Sequence, residues 1–317
     1  MKISIIIPVY YNEGNLFPLY DDIKKKVLDI VDYDVEIVMV NDGSKDASYR
    51  KMQELAKRDD RIRIFSLSRN FGSHAAVLCG LEKCTGDCAV IKAADLQEPT
   101  ELILFMVDSW KKGNNVVLAT RRSRPEKASS QMFSNLYYWM VRKTSFPNMP
   151  KTGFDIFLID RKVIRVLSSL DEKNSALTGQ ILWSGFRTDV VYYDRLKRQI
   201  GESRWTLKKK IRLVMDTLYS FSTLPITFVS FIGVASFGVA MIWAIVEFIS
   251  KLLGKITVPG WTALFIFCLA AFGIIMLTLG VIGNYLWRTF DASRGRPPYI
   301  IEDDPESDHA ASKRTEA

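Results

Sequence analysis

The last third of the chain almost lacks charge, and this most constrains what it can fold into. Charged residues make up 25% of the 317-residue sequence, yet they nearly vanish between positions 225 and 287, where two apolar runs, Ile226 to Phe248 and Trp261 to Trp287, occur. Roughly 20 helical residues cross a hydrocarbon core of about 30 Å. The sequence therefore predicts two transmembrane helices. Two helices buried in a soluble core would require far more surrounding protein.

The residues flanking these runs predict their orientation. The net charge of +8 is carried largely by clusters, one of which, Lys208 to Arg212, precedes the first run. Three arginines between positions 288 and 296 follow the second run, and only two lysines lie in the loop between the runs. The positive-inside rule then puts both termini in the cytoplasm, as does an N-terminus without a cleavable signal pattern. We expect a multi-pass protein of the inner membrane.

A surface helix is predicted just before the first run. Between Thr206 and Phe221 apolar residues recur at helical spacing with lysines opposite, which is typical of an amphipathic helix lying on a membrane. A basic stretch beside an apolar span suits an anionic membrane surface. Because no nucleic-acid recognition motif accompanies it, we expect no nucleic-acid partner. The polar tail after Ile301 is predicted to be disordered.

The first two thirds of the chain alternate short apolar strands with helices. Strands are predicted at Lys2–Val9, Val35–Val40, Arg61–Leu67, Cys88–Lys92 and Val116–Thr120, with helices near residues 15–31, 46–58, 75–84 and 101–112. This alternation predicts an α/β fold, a mostly parallel sheet flanked by helices. We expect four segments: a cytoplasmic α/β domain over 1–205, the amphipathic helix over 206–224, two transmembrane helices over 225–287 and a cytoplasmic tail over 288–317.

Cysteine and histidine usage argues against a zinc site. The four cysteines form no CxxC pair, and the two histidines, His74 and His309, cannot complete a zinc site with them. Reduced, structural cysteines are the better interpretation, and His74 is interpreted as a local hydrogen-bonding group.

Polar motifs follow three of the predicted strands, where ligands of parallel sheets bind. They are Pro8-Val9-Tyr10-Tyr11-Asn12-Glu13, Asn41-Asp42-Gly43-Ser44 and Ala93-Ala94-Asp95-Leu96-Gln97-Glu98-Pro99. Acidic groups at neighbouring strand ends repel one another unless they meet a cation or the donor groups of a ligand. For any one motif alone, a turn or a helix cap is the better interpretation. Together they predict a ligand site, although the dinucleotide and P-loop fingerprints are both missing from the sequence.

These motifs resemble glycosyltransferase family 2, in particular enzymes of the dolichyl-phosphate-mannose synthase and bacterial bactoprenol glucosyltransferase type. Further matching segments are Leu67-Ser68-Arg69-Asn70-Phe71-Gly72, Tyr193-x-Arg195-x-x-Arg198-x-x-Gly201-Glu202-Ser203, Ser220-Phe221-Ser222-Thr223-Leu224-Pro225 and Arg296-Pro297-Pro298-Tyr299. The resemblance runs from Lys2 to about Tyr299. It implies that residues 1–205 form a GT-A catalytic domain, followed by the interface helix and two transmembrane helices.

The resemblance implies an inverting transfer of a sugar from a nucleotide diphosphate to polyprenyl phosphate on the cytoplasmic membrane face. UDP-glucose or a UDP-N-acetylhexosamine is favoured and GDP-mannose is compatible; the product would serve a cell-surface polysaccharide, and relatives suggest a homo-oligomer. The diphosphate leaves more readily when Mg²⁺ or Mn²⁺ and guanidinium groups neutralise its growing charge. A lipid phosphate is already ionised at neutral pH, so the attack requires no strong general base.

The resemblance also assigns residues to the donor. Those expected on the nucleotide sugar are Pro8, Tyr10, Glu13, Asp42, Ala94, Asp95, Arg195, Arg198 and Ser203. The last three would close over the diphosphate from a mobile loop, and Asp95 and Gln97 would ligate the divalent metal.

The acceptor phosphate is expected to meet Arg121 and Arg124, and Asp155, in Thr152-Gly153-Phe154-Asp155, would face the sugar. The catalytic residues implied are Asp95, Asp155 and Arg198. A solvated basic face is the competing interpretation of Arg121 and Arg124. Contact with lipid headgroups is the competing interpretation of Arg195 and Arg198.

The chain departs from the family pattern in two places. Ala93 stands where Asp-x-Asp has its first carboxylate, so either Asp95 and Gln97 suffice together with the diphosphate or metal dependence is weakened. The basic residue that the family often carries after the Arg-x-x-Arg pair is not evident near Ser129-Ser130-Gln131. Two alternatives stay open: a transferase that extends a polysaccharide or glycolipid, and a catalytically silent nucleotide-sugar-binding scaffold.

Overall fold

The computed structural model describes residues 1–122, 128–170, 172, 176–196, 207–253 and 261–304. The chain divides into two compact units. One comprises Met1–Leu213 with Pro297–Ala317, and the other comprises Val214–Arg296. The first unit contains the sheet, and the second consists of helices.

Within the described residues of the first unit, eight strands form one sheet in the order β7-β5-β6-β4-β1-β2-β3-β8. The strands are β1 (Lys2–Val9), β2 (Asp34–Asn41), β3 (Ile62–Leu67), β4 (Cys88–Ile91), β5 (Val116–Arg121), β6 (Ile156–Asp160), β7 (Thr188–Tyr193) and β8 (Ile301–Asp303). All neighbours run parallel except β6, which is antiparallel to β4 and β5, and β8, which is antiparallel to β3. The predicted α/β fold with a mostly parallel sheet is confirmed.

Helices connect these strands and cover the sheet. They are α1 (Leu16–Ile23), which continues as a π-helical turn (Lys24–Leu28), α2 (Ser48–Ala56), α3 (Ser73–Lys83), α4 (Leu102–Lys111), α5 (Ala128–Thr144), α6 (Arg161–Ser169) and α7 (Leu177–Trp183). β1 is buried on both faces, as its apolar run predicts, and Ile5, Ile6 and Ile7 have no exposed surface. The predicted helix over 15–31 is present as α1 and the π-helical turn, which buries Val27 and Leu28, but it ends at Leu28 rather than at residue 31.

The direction of β6 decides what meets at one edge of the sheet. Strands β1, β2, β3, β4, β5 and β7 all end at this edge, whereas the antiparallel β6 and β8 begin there, at Ile156 and Ile301. We call it the carboxyl edge, and the opposite one, where β1 and β2 begin at Lys2 and Asp34, the amino edge. Loops that follow six strands and the loop that precedes β6 therefore converge at the carboxyl edge.

The predicted disorder of the tail after Ile301 is wrong for residues 302–304. Ile301–Asp303 forms β8 on the outer side of β3, where Leu67 pairs with Ile301. The Tyr49 hydroxyl donates to Asp303, and Lys83 Nζ lies 2.6 Å from Asp304 Oδ2. These tertiary partners order a segment whose polar composition predicts no structure. Residues 305–317 lie outside the described part of the chain.

The second unit contains most of α8 (Leu207–Phe221) together with α9 (Leu224–Leu252) and α10 (Trp261–Ser293). Residues Leu224–Ser250 and Ala270–Ser293 are long and apolar enough to cross a membrane, and no residue in the most apolar 18-residue window of either stretch is buried. Near the end of α10, Arg288 Nη2 donates to Asp216 Oδ1 of α8 at 2.7 Å. The helices are consistent with membrane association.

Candidate active site

The loops that follow β1 and β2 are bound to each other at the carboxyl edge. The Tyr11 amide donates to Ser44 Oγ at 3.0 Å, and the Asn12 amide donates to Ser48 Oγ at 2.9 Å. Glu13 is exposed, and its Oε2 accepts from the Ala47 amide at 2.9 Å, at the beginning of α2. The half-buried Pro8 and Tyr10 lie in the same loop region. The structure thus brings together the predicted nucleoside residues of these two loops.

Asp42 organises the next loop from a buried position. It is 3% exposed, and its oxygens accept from the Phe71 amide at 2.7 Å and the Gly72 amide at 3.1 Å. Gly43 adopts φ +64°, and a Cβ there would lie 2.4 Å from the Arg69 carbonyl carbon. Only glycine permits both this conformation and this close approach. Two sequence motifs are therefore packed directly on each other, and nucleoside contact by Asp42 stays a prediction.

The loop after β4 brings three predicted ligand residues into one cluster. Arg195 Nη2 donates to Gln97 Oε1 and lies 3.9 Å from Asp95 Oδ2. The Gln97 amide donates to Asp95 Oδ1 at 3.2 Å, and the Leu196 amide donates to the Gln97 carbonyl at 2.8 Å. The chain beyond β7 therefore returns to the β4 loop. We call Asp95, Gln97 and Arg195 the donor cluster.

A buried ion pair lies under the donor cluster. Lys92 and Glu98 are 2% and 4% exposed, and Lys92 Nζ lies 3.9 Å from Glu98 Oε2. Burial lowers the pKa of Lys92, against the opposing effect of the Glu98 carboxylate. Burial, reinforced by the charge of Asp95, raises the pKa of Glu98 to about 7. The sequence places Lys92 only at the end of a predicted strand; the signal that could have found it is a lysine that closes a fully buried apolar strand.

A second cluster joins β5, β6 and β7. The Arg121 guanidinium binds the Asp155 carboxylate directly, and its Nε donates to the Tyr193 hydroxyl at 3.3 Å. The Arg121 side chain is 13% exposed, whereas that of Asp155 is 53% exposed. They meet because β5 ends where the antiparallel β6 begins. The residues predicted for the acceptor phosphate and for the sugar thus form one ion pair.

The turn that carries Asp155 is held by residues that sequence reasoning did not single out. Gly153 adopts φ +66°, and a Cβ there would lie 2.2 Å from the Tyr138 ring of α5. Thr120 Oγ1 donates to the Gly153 carbonyl at 2.6 Å. Tyr138, Thr120 and Tyr193 therefore shape the site from distant parts of the sequence.

Four predicted site residues are not among those placed above. Arg124, Arg198 and Ser203 lie outside the described residues. Ala94 is 4% exposed and belongs to the hydrophobic core, so its methyl group faces protein.

The residues present fit a metal only in a restricted way. Among the described residues, no three His, Cys, Asp or Glu side chains converge on one metal position. The Ala93 side chain has no oxygen that could ligate a metal, so the loop offers the Asp95 carboxylate and the Gln97 amide oxygen. Mg²⁺ is commonly held by one or two carboxylates together with substrate phosphates. The donor set therefore fits a divalent metal shared with a diphosphate, rather than one enclosed by protein.

Comparison with known proteins extends over nearly the whole chain. Residues 4–167 match the model of glycosyl transferase family 2. "Uncharacterized glycosyltransferase YkcC" of Bacillus subtilis (strain 168) is 35% identical, over 95% of this chain and 94% of that protein. "Prophage bactoprenol glucosyl transferase homolog" of Escherichia coli (strain K12) is 32% identical over 95% and 99%. "Bactoprenol glucosyl transferase" of Shigella phage SfV is 32% identical over 96% and 99%.

Among solved structures, glucosyl-3-phosphoglycerate synthase from Mycobacterium tuberculosis, in complex with Mn²⁺, UDP and phosphoglyceric acid, aligns with a TM-score of 0.49 at 14% identity. The alignment covers 69% of this chain and 76% of that chain.

Proposed function

Because the chain belongs to glycosyltransferase family 2 and is a glycosyltransferase with a GT-A fold, we propose that it transfers a hexose from a nucleotide diphosphate sugar to polyprenyl phosphate. The family expected from the motifs is thereby confirmed. The observation that carries the proposal is the meeting of the donor cluster and the Arg121–Asp155 pair at one edge of the sheet, in a chain with two helices of membrane-spanning length.

The donor cluster supplies the chemistry that a leaving diphosphate requires. The negative charge on the diphosphate grows as the bond to the anomeric carbon breaks, and fixed cationic groups stabilise it. The guanidinium of Arg195 binds phosphate oxygens well because its planar fork donates in two directions. Asp95 and Gln97 would hold Mg²⁺ or Mn²⁺ there, and the bound metal would supply further charge neutralisation. Pro8, Tyr10, Glu13 and Asp42 would border the nucleoside. Arg198 and Ser203 would join Arg195 on the diphosphate, and Ala94 belongs to the same proposed nucleotide-sugar site.

The Arg121–Asp155 pair suits the acceptor side. Arg121 is held by Asp155 and Tyr193, so its guanidinium is oriented before a phosphate arrives. A phosphate monoester attacks as an anion, and Asp155 would orient the sugar and the arginine rather than remove a proton. A single displacement of this kind inverts the anomeric configuration. Arg124 would add a second phosphate contact.

The identity of both substrates draws on the relatives. Two of them bear the name bactoprenol glucosyl transferase, which supports a polyprenyl phosphate acceptor and favours glucose as the sugar. UDP-glucose is therefore the first donor to test, followed by a UDP-N-acetylhexosamine and GDP-mannose. We propose a homo-oligomer in the inner membrane.

The chain path supports cytoplasmic placement of both termini. β8, which follows the second long helix, pairs with β3, which precedes the first. Two segments of one sheet lie on the same side of a membrane, so the intervening chain must cross an even number of times. The basic residues that flank the two apolar runs favour the cytoplasmic side.

A transfer assay tests the proposal. Purified protein is incubated with polyprenyl phosphate and one radiolabelled nucleotide sugar at a time, with Mg²⁺, Mn²⁺ or EDTA. We expect an organic-extractable labelled lipid from one donor, lost in EDTA. Binding of a nucleotide sugar without any lipid product would favour the scaffold alternative, and label in a polymer would favour an extending transferase.

A further inference from the structure

One buried side chain, that of Lys92, connects the two ends of the loop that carries Asp95 and Gln97. The Lys92 amide donates to the Ile6 carbonyl at 2.9 Å, so its backbone still belongs to the sheet. Its Nζ donates to the Glu98 backbone carbonyl, six residues further along. Lys92 therefore links the rigid end of β4 to the far end of the loop.

The loop needs such a link because its backbone is strained. Leu96, between the two proposed metal ligands, has φ +57°, and Tyr11 is the other non-glycine residue with positive φ in the described part of the chain. A left-handed conformation is unfavourable for such a residue and persists only where surrounding contacts enforce it. Arg195 and Leu196 contact the loop through Gln97, and Lys92 holds it at Glu98.

The geometry of the ion pair shows which bond of Lys92 matters. Nζ is 3.9 Å from Glu98 Oε2, and that oxygen has no hydrogen-bond partner among the described residues. In contrast, the Arg61–Asp59 pair closes to 2.8 Å. A lysine that served only to neutralise Glu98 would approach its carboxylate. The contact that Lys92 makes instead is the one with the backbone.

We infer that Lys92 is a positioning residue: its bond to the Glu98 carbonyl holds Asp95 and Gln97 in the arrangement that binds a metal–nucleotide diphosphate. The inference rests on the proposed function and deepens it. It also bears on Ala93, because a loop with one carboxylate fewer depends more on the correct placement of the ligands that remain.

The test is the affinity of detergent-solubilised, full-length protein for UDP in the presence of Mn²⁺, measured by calorimetry. Lys92→Met keeps the length of the side chain and removes its donor. We expect the dissociation constant to rise about tenfold, as suits the loss of one charge-assisted hydrogen bond, and a higher KM for Mn²⁺ in turnover. Arg63→Met is the matched control. Arg63 also donates to a backbone carbonyl, that of Lys83, but at the amino edge, so affinity should stay at the wild-type value.

A double variant separates positioning from charge balance. Lys92→Met alone leaves the Glu98 carboxylate buried without a cation, which destabilises the fold. Lys92→Met/Glu98→Gln removes both charges and preserves the backbone carbonyl. We expect it to recover the melting temperature and to keep the weakened affinity. Wild-type affinity in the double variant would overturn the inference, because Lys92 would then act only by neutralising Glu98.

Wild-type behaviour distinguishes this inference from the proposed function. If the wild-type protein binds neither UDP nor GDP with Mn²⁺, the proposed donor site is wrong. If it binds and both Lys92 variants bind equally well, the donor site stands and the positioning role of Lys92 is wrong.

Discussion

Glu36 at the amino edge and Glu98 at the carboxyl edge are both buried carboxylates, and their surroundings shift their pKa values in opposite directions. At the amino edge, Glu36 accepts from Ser4 Oγ at 2.6 Å and from Thr85 Oγ1 at 2.7 Å, and Lys2 Nζ lies 2.9 Å away. Burial alone would raise its pKa, but these hydrogen bonds outweigh burial and lower it to about 2. At the carboxyl edge, burial raises the pKa of Glu98 to about 7.

The difference separates a network of mutually satisfied groups from the edge that carries the proposed site. The groups around Glu36 satisfy one another, and the network ties the beginnings of β1 and β2 to the loop before β4. At the carboxyl edge, Glu98 Oε2 lacks a partner among the described residues, and Asp155 is half exposed. Polar groups that protein does not satisfy are the ones a ligand can engage. Substitutions at the two edges should therefore affect different properties.

The largest effect is expected for Asp95→Ala. It removes the one carboxylate left in the metal motif, and we expect kcat/KM to fall about 10²–10³-fold, the range for loss of a group that stabilises transition-state charge. The melting temperature should change little. The measurement is lipid-linked product formation across a Mn²⁺ titration. Asp60→Ala, an exposed aspartate before β3, is the control; equal losses in both variants would contradict the division between edges.

Glu36→Gln should affect stability rather than turnover. The folded pKa of about 2 lies below the ordinary 4.5, so the ionised form contributes about 3 kcal/mol to the free energy of unfolding. That contribution is complete above pH 4.5 and is lost as the pH falls from 4.5 towards 2. The measurement is denaturant unfolding of wild type and variant at pH 7 and pH 3.

The two curves should lie apart at pH 7 and approach each other in acid. Activity per folded molecule should equal that of the wild type. A variant with normal stability and reduced turnover would show that the amino-edge network serves the chemistry after all.

Arg121→Lys should lower turnover by roughly tenfold while leaving the fold intact. Lysine keeps the charge but loses the planar fork that binds Asp155 and Tyr193 together. The loss should appear in the KM for polyprenyl phosphate more than in the KM for the nucleotide sugar. The measurement is initial rates with each substrate varied in turn. A change confined to the KM for the nucleotide sugar would show that Arg121 binds the donor rather than the acceptor.

The smallest effect is expected for Tyr49→Phe, which removes the hydroxyl that holds Asp303 of β8. We expect a loss of about 1 kcal/mol in the free energy of unfolding, the usual contribution of one hydrogen bond, with unchanged transfer activity. Amide hydrogen exchange should increase in β8 and the facing part of β3. Protection that stays at the wild-type value would show that backbone pairing alone holds the strand.

The sequence by itself determined the elements whose signal is local. The apolar runs at Lys2–Val9 and Val35–Val40 are buried on both faces, so composition alone identifies them as interior strands. The two long apolar helices follow from length and lack of charge. The motifs after β1, β2 and β4 predict a ligand site because parallel strands bring their ends to one edge.

Only the tertiary structure decided which of these groups meet. The reversal of β6 puts Asp155 beside Arg121, and the return of the chain after β7 puts Arg195 on Gln97. The pairing of β8 with β3 gives Ile301–Asp303 a regular structure that its polar surroundings in the sequence do not predict. The burial of the Lys92 side chain likewise depends on the Glu98 backbone carbonyl, which accepts a hydrogen bond from its ammonium group. The physical reason is that strand direction, edge pairing and burial of a charge are set by hydrogen bonds between residues far apart in the chain, which no local pattern of side chains encodes.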